Sequence, residues 1–410
     1  MQTGTDFESG ELSGTSVVPM AGGRELALSL QPSQPQGRYL SEPQAADYTF
    51  NALGLHWKAD LPAGASVKVE VRFSQDGNQW GDWQPVSEVV DDLPNHIAST
   101  KSAGETIGDL VFTDAGRFFQ YRIDLTGSTT GQGPAVTKMT ASYIDSKGYH
   151  DSPLSLSNIT RNISSALAPS SASADLNYVP RTQWGANDAY TQVNWPPEYA
   201  QPQKIVLHHT AGANYDPDPF ATVLGIYQYH AVSLGWGDIG YNFLVDELGR
   251  VYEGRMGGNG VIGGHALGWN TGSIGISVLG NYEAHDINTA IYNAVAELMT
   301  RKANENYIDP YGSDYFVHYE GCPGNCYPVG GYSANILGHR DLAGDYTACP
   351  GDYLYAYLPY FRTAAYIKYS PIPIVGGIRI KWDSLNGAPG RPIRAEYCLS
   401  NPSGSCPGEA

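Results

Sequence analysis

The sequence predicts a multidomain chain: residues 1–150 as an all-β sandwich of jelly-roll type, and residues 178–372 as an α/β domain with a mixed central sheet flanked by helices. Three observations carry this reading. A chain of 410 residues exceeds what one core ordinarily serves. Before residue 150 the apolar pattern alternates; after 178, strand-like runs alternate with helix-period stripes. Between them, residues 151–177 are rich in Ser, Ala and Asn with little apolar pattern, which is linker composition.

In the first unit, TFNALGLHWKA, SVKVEVRFS and RFFQYRIDLTG read as strands, separated by turn formers such as SQDGNQWGD. Lys68, Glu70 and Arg72 alternate with Val67, Val69, Val71 and Phe73, as a half-buried strand requires. Trp80 and Trp83 either stack on a sugar ring, giving this unit a contact with glycan, or pack at the edge of the core.

In the second unit, KIVLHH reads as a buried strand. Asp218 and Pro219 start a helix running to about Leu234, with Phe220, Val223, Leu224, Tyr227 and Ala231 on one face. YNFLVDELGRVYEG reads as a hairpin turning at Asp246 to Gly249, and SIGISVLG as another buried strand. Ile291, Val295, Leu298 and Met299 stripe a helix over 288–305. NILGHR is a short strand, and Pro359 bends or breaks a terminal helix in DYLYAYLPYFRTAAYIKY.

The formal net charge of −17 excludes a basic nucleic-acid footprint and an electrostatic anchor on anionic lipid. No run of about 20 apolar residues is present to span a membrane. The N-terminus lacks a signal-peptide pattern and is read as the start of a trimmed secreted chain. Cys322 with Cys326, and Cys398 with Cys406, are each spaced to close a short disulfide loop, as expected outside the cell.

The fifth cysteine, Cys349 in TACPGDY, joins histidines in IVLHHTAG and ILGHRD as a candidate metal set. Two imidazoles and a thiolate suit Zn²⁺, and three protein ligands leave one position for water, the pattern of a catalytic rather than structural site. His339 supplies one imidazole. His208 and His209 compete for the other, because neighbouring side chains on a strand point to opposite faces.

Six ordered blocks surround these residues: VPRTQWGA, IVLHHTAG, GDIGYNFLVDELGRVYEGR, GGHALGWNTGSIGISVLGNY, GHRDL and TACPGDYLY. Together they resemble the type 2 family of zinc-dependent N-acetylmuramoyl-L-alanine amidases, which includes the peptidoglycan recognition proteins. The resemblance covers roughly residues 178–370. It implies that His208, His339 and Cys349 bind zinc and that Tyr241 and Thr347 steady the oxyanion. It further implies that His265 meets the substrate; His209 then either faces the substrate groove or packs into the core, and Asn270 either touches the peptide or, the favoured reading, holds its turn. Thr347 stands where phage-type members carry Lys, so it brings no positive charge. The implied reaction is hydrolysis of the amide joining N-acetylmuramic acid to L-alanine in peptidoglycan, by a secreted, wall-associated enzyme. A non-catalytic peptidoglycan-binding module is the rival reading, but members that only bind lack the cysteine. A zinc peptidase acting within the stem peptide is a third. Residues 373–410 resemble the start of an LGFP-type wall-protein repeat, a partial copy or tail. His230, His285 and His318 receive no role.

Overall fold

The structure, a computed structural model, describes residues 2–3, 6–20, 25–88, 105–147, 176–317, 330–342, 347–368, 378–381 and 396–399. Most of the expected linker, Cys322, Cys326, Cys406 and His318 lie outside the described residues. So does nearly all of the expected C-terminal repeat, apart from one pair of strands, Ile378–Lys381 and Glu396–Leu399.

The N-terminal unit is all-β. Its strands are β1 (Gln2–Thr3), β2 (Glu11–Ser13), β3 (Thr15–Pro19), β4 (Leu26–Leu30), β5 (Gln36–Leu40), β6 (Gln44–Asp60), β7 (Ser66–Ser74), β8 (Gln84–Pro85), β9 (Glu105–Thr126) and β10 (Ala135–Ile144). All pair antiparallel within one ten-stranded hydrogen-bonded sheet. Two long strands make this continuity possible. β6 and β9 pair along their length through register shifts, and such bulges bend a strand. The C-terminal part of β9 then lies between β5 and β7, while its N-terminal part stays on β6. On β7, Val67, Val69, Val71 and Phe73 are buried and Lys68 is exposed, the alternation read from sequence. Their side chains share a core with Leu53, Leu55 and Trp57 of β6 and Tyr121, Ile123 and Leu125 of β9. Trp80 and Trp83 sit over guanidinium groups: Arg72 lies 5.0 Å from one ring centroid and 4.6 Å from the other, and Arg122 lies 4.6 Å from Trp83. This is packing by cation–π contact.

The second unit contains β11 (Asn177–Val179), α1 (Arg181–Trp184), α2 (Asp188–Asn194), β12 (Lys204–His209), α3 (Pro219–Gln228), β13 (Phe243–Val245), β14 (Arg250–Glu253), β15 (Ser273–Val278), α4 (Thr289–Asn306), β16 (Ser313–Val317), β17 (Gly330–Ala334), β18 (Ile336–Gly338), α5 (Asp352–Ala356) and α6 (Leu358–Ile367). Six strands form a mixed sheet in the order β11-β14-β13-β15-β12-β18, in which only β13 and β14 pair antiparallel. β12 and β15 are buried at every residue, as central strands covered on both faces must be. One face carries Ile205, Leu207, Ile276 and Val278 against Val295, Met299 and Phe361 of α4 and α6. The other carries Val206 and Leu337 against Ala266, Trp269 and Phe316.

Local chemistry sets the helix ends. The Asp218 carboxylate accepts from Ala221 N at 3.2 Å and the Asn288 side chain from Ile291 N at 2.9 Å, satisfying first-turn amides. The α-helix from Pro219 stops at Gln228, short of the expected Leu234, and continues as one π turn over Tyr229–Ser233. That turn buries Tyr229, His230 and Ala231 together, which an uninterrupted α-helix would spread around its axis. The terminal helix breaks at Tyr357, placing Pro359 in the first turn of α6, where its missing N–H costs nothing.

The two units share apolar packing. Ala52, Ile107, Leu110 and Ile144 of the β unit join Val223, Leu224, Ile226 and Tyr229 in one buried cluster. Tyr229 Oη donates to Gly108 O at 2.8 Å. Gly54 faces the Tyr229 ring so closely that a Cβ there would stand 2.2 Å from it. Among the described residues, no helix is long and apolar enough to cross a membrane.

Candidate metal centre

β12 ends in two histidines, and the pleat sends them apart. His208 continues the Lys204–Val206 face, and His209 the Ile205–Leu207 face. β18 runs parallel to β12 and ends at Gly338, so His339 emerges beside His208; their ring centroids are 4.5 Å apart. Cys349 arrives from the following loop, with Sγ 3.6 Å from His208 Nδ1. One donor atom from each of His208, His339 and Cys349 lies within 4.8 Å of the others, and all three residues are buried. The cluster sits at the carboxyl ends of parallel strands, where open α/β sheets place their sites.

The donor set fits a zinc ion, since imidazole nitrogens and a cysteine sulfur are its usual ligands. A hydrogen-bond chain selects the nitrogen of His208 that would face it. Ser273 Oγ donates to Trp269 O at 2.6 Å, so it accepts from His265 Nε2, 3.3 Å away. His265 Nδ1 therefore carries a lone pair and accepts from His208 Nε2 at 3.0 Å. This leaves the lone pair of His208 Nδ1 directed at the Cys349 side. The arrangement is the outer-shell support that fixes the tautomer of a metal-binding histidine. Burial, reinforced by the neighbouring His339, His265 and His209, holds the His208 imidazole well below its ordinary pKa. Burial, then His339, pushes His265 down to about 3, so both rings are neutral, as ligation requires.

His265 has room because β15 carries Gly275, where a Cβ would stand 2.3 Å from the imidazole. All three residues expected at the substrate are buried. His265 is 0 % exposed and meets the His208 ring edge to face, and Asn270 is 0 % exposed with Oδ1 accepting from His265 N at 2.7 Å and Ala266 N at 2.9 Å. Asn270 thus holds the turn that carries His265. His209 is buried on the opposite side of the strand, where its Nδ1 accepts from Tyr282 N at 3.2 Å. Burial and the adjacent Arg340 charge push this imidazole down to about 3. Its backbone N–H still serves the site, donating to Cys349 Sγ at 3.4 Å.

Tyr241 lies on the His208 side, 5.6 Å between ring centroids. Its loop is anchored by Asp238, whose carboxylate takes Arg181 at 3.0 Å, Arg255 at 2.9 Å and Met256 N at 2.8 Å. His230 also supports it: Nδ1 accepts from Gly240 N at 3.2 Å and the ring packs on Trp236 at 4.3 Å. Thr347 Oγ1 accepts from Cys349 N at 3.1 Å, leaving its hydroxyl proton for another acceptor.

Sequence reasoning missed two residues that hold the ligand loops. Arg340 N and Nε both reach Cys349 O, at 3.0 and 3.4 Å, and the same guanidinium bonds Ala348 O and Asp352. Asp341 accepts from Gly338 N at 2.9 Å and Tyr355 Oη at 2.6 Å. Their adjacency to His339 in GHRDL was the available signal.

Residues 198–352 match the family model described as N-acetylmuramoyl-L-alanine amidase. The chain is 36% identical over 176 residues to peptidoglycan-recognition protein SC2 of Drosophila simulans, spanning 42% of this chain and 79% of that protein. It is 32% identical over 192 residues to peptidoglycan recognition protein 1 of Bos indicus (45% and 85%) and 30% over 182 residues to the Mus musculus protein of that name (43% and 83%). With relatives at 30% identity or more matched over most of their length, the chain belongs to the amidase-2 and peptidoglycan recognition protein family.

Proposed function

We propose that the protein hydrolyses the amide between N-acetylmuramic acid and L-alanine of peptidoglycan, acting outside the cell at the wall. The convergence of His208, His339 and Cys349 beside Tyr241 carries the reading. These three residues would hold zinc, which when bound acidifies a water and polarises a carbonyl.

The remaining work falls to the protein's own groups. The chain from Ser273 through His265 holds His208 in one tautomer and one orientation, so the donor needs no rearrangement. Arg340 ties the Cys349 loop to the end of β18, fixing the sulfur against the imidazoles. The Tyr241 phenol and the Thr347 hydroxyl are the donors for the oxyanion that forms as the amide carbonyl is attacked; such donors act strongly in a buried setting. Without a lysine at 347, that stabilisation is by hydrogen bonds rather than a second cation.

Mass analysis of peptidoglycan digested by the full chain tests this. Release of intact stem peptides with a new amino-terminal alanine is the expected product. Cuts within the stem would make it a peptidase, and binding without any product would make it a recognition module.

A further inference from the structure

We propose that the N-terminal β unit forms a working wall of the substrate groove, and that the cleft between the two units is a subsite for the uncharged glycan strand. This rests on the amidase reading above. A cavity of about 360 Å³ opens between the β9 edge and the loop that follows β12. Gln84, Asp109, Thr113 and Asp114 line one side, and Thr210 and Asn214 the other. Tyr241 lies in its lining, with its ring centroid 5.6 Å from that of His208, so the cleft opens beside the candidate metal centre. The family match covers residues 198–352, so the first wall lies outside the matched segment.

The wall is held in place. Tyr229 bonds Gly108 O next to Asp109, and Gly54, Gly225 and Phe112 close the contact between the units. A wall fixed by shared core packing keeps its polar groups at a constant distance from Tyr241.

Charge selects the ligand. Asp109, Asp114, Asp216 and Asp218 line the cleft, against one ammonium, Lys147, whose Nζ donates to Asp114 O at 2.6 Å. A stem peptide carries carboxylates and is repelled here. In the uncleaved strand N-acetylglucosamine carries no charge and the carboxyl of N-acetylmuramic acid is tied up in the amide, and the many sugar hydroxyls donate well to carboxylates and side-chain amides. Tyr215, 78 % exposed in the lining, adds an aromatic face of the kind on which a sugar ring packs.

The test uses the full chain and an Asp109→Ala/Asp114→Ala double variant, with circular dichroism confirming the fold. Calorimetric titration with chitotetraose, a neutral N-acetylglucosamine tetramer, should show binding that weakens about tenfold in the variant. For amide hydrolysis, the ratio of kcat/KM on long glycan strands to that on a single N-acetylmuramoyl peptide should fall by a similar factor. An unchanged ratio, or tetramer binding equal in both proteins, overturns the proposal, as does a sugar-free stem peptide whose binding depends on the two aspartates. Failure of the wild type to release alanine-terminated peptides would instead defeat the amidase reading, while the tetramer titration still reports on the cleft.

Discussion

Two buried polar clusters lie within the second unit, and their chemistry differs in kind. Around Asp238, two guanidinium groups meet two carboxylates: Arg181 and Arg255 on Asp238, and Arg181 on Asp188 at 2.6 Å. Positive and negative charges balance, and Arg255 also lies 3.8 Å over the Trp195 ring. The cluster is complete in itself. Around His208 the three converging groups are all electron-pair donors, two imidazoles and a sulfur, with no opposite charge among them. Burial and mutual proximity hold His208 neutral, so protonation does not relieve the crowding. Such a set is complementary to a cation. One cluster ties down a loop; the other has the composition of a candidate cation site.

The comparison breaks if substitutions in the two clusters behave alike. The largest effect is expected at the donor set: Cys349→Ala should lose bound zinc and all measurable turnover while staying folded. Elemental analysis beside an activity assay checks this, and stoichiometric zinc in the variant would refute the ligand assignment. A chelator should then lower the melting temperature of the wild type and leave that of Cys349→Ala unchanged, because only the former gains stability from a bound ion. Asp238→Ala should act the opposite way, costing about 3–5 kcal/mol of stability by leaving buried Arg255 without a carboxylate and Arg181 with Asp188 alone, whether or not metal is present. Urea unfolding with and without chelator measures it, and a loss seen only in the metal-loaded protein would merge the two clusters into one.

Smaller effects sharpen the picture. Tyr241→Phe removes one oxyanion donor and should retain zinc while slowing turnover about 10²-fold; an unchanged kcat would return Tyr241 to packing. Ser273→Ala removes the acceptor that fixes the tautomers of His265 and His208, so zinc affinity should fall about tenfold with the fold intact. Competition with a chromogenic chelator gives that number, and equal affinity would mean the hydrogen-bond chain does not orient the ligand.

The candidate metal set, whose convergence the structure shows, was legible because each of its residues sits in a run of distinctive neighbours. The β12–β18 pairing that joins two of those runs follows from ordinary parallel-strand packing. His265 and Asn270 were harder. Nothing in GGHALGWN tells a groove contact from a second layer; Gly275, far along the chain, makes space for the ring behind His208. The strands of the β unit were readable from alternation, yet the bends that let β9 serve β5, β6 and β7 depend on register shifts that periodicity does not encode. The cleft wall left no trace at all, since Asp109 and Thr210 come to line one cavity through Tyr229 packing on Gly54, a contact between distant glycine and aromatic positions.

X-ray absorption at the zinc edge, recorded on the zinc-loaded full chain, tests the central assignment most directly. It should show one sulfur at about 2.3 Å and two imidazole nitrogens at about 2.0–2.1 Å, with a light atom completing the shell. A shell without sulfur would contradict it.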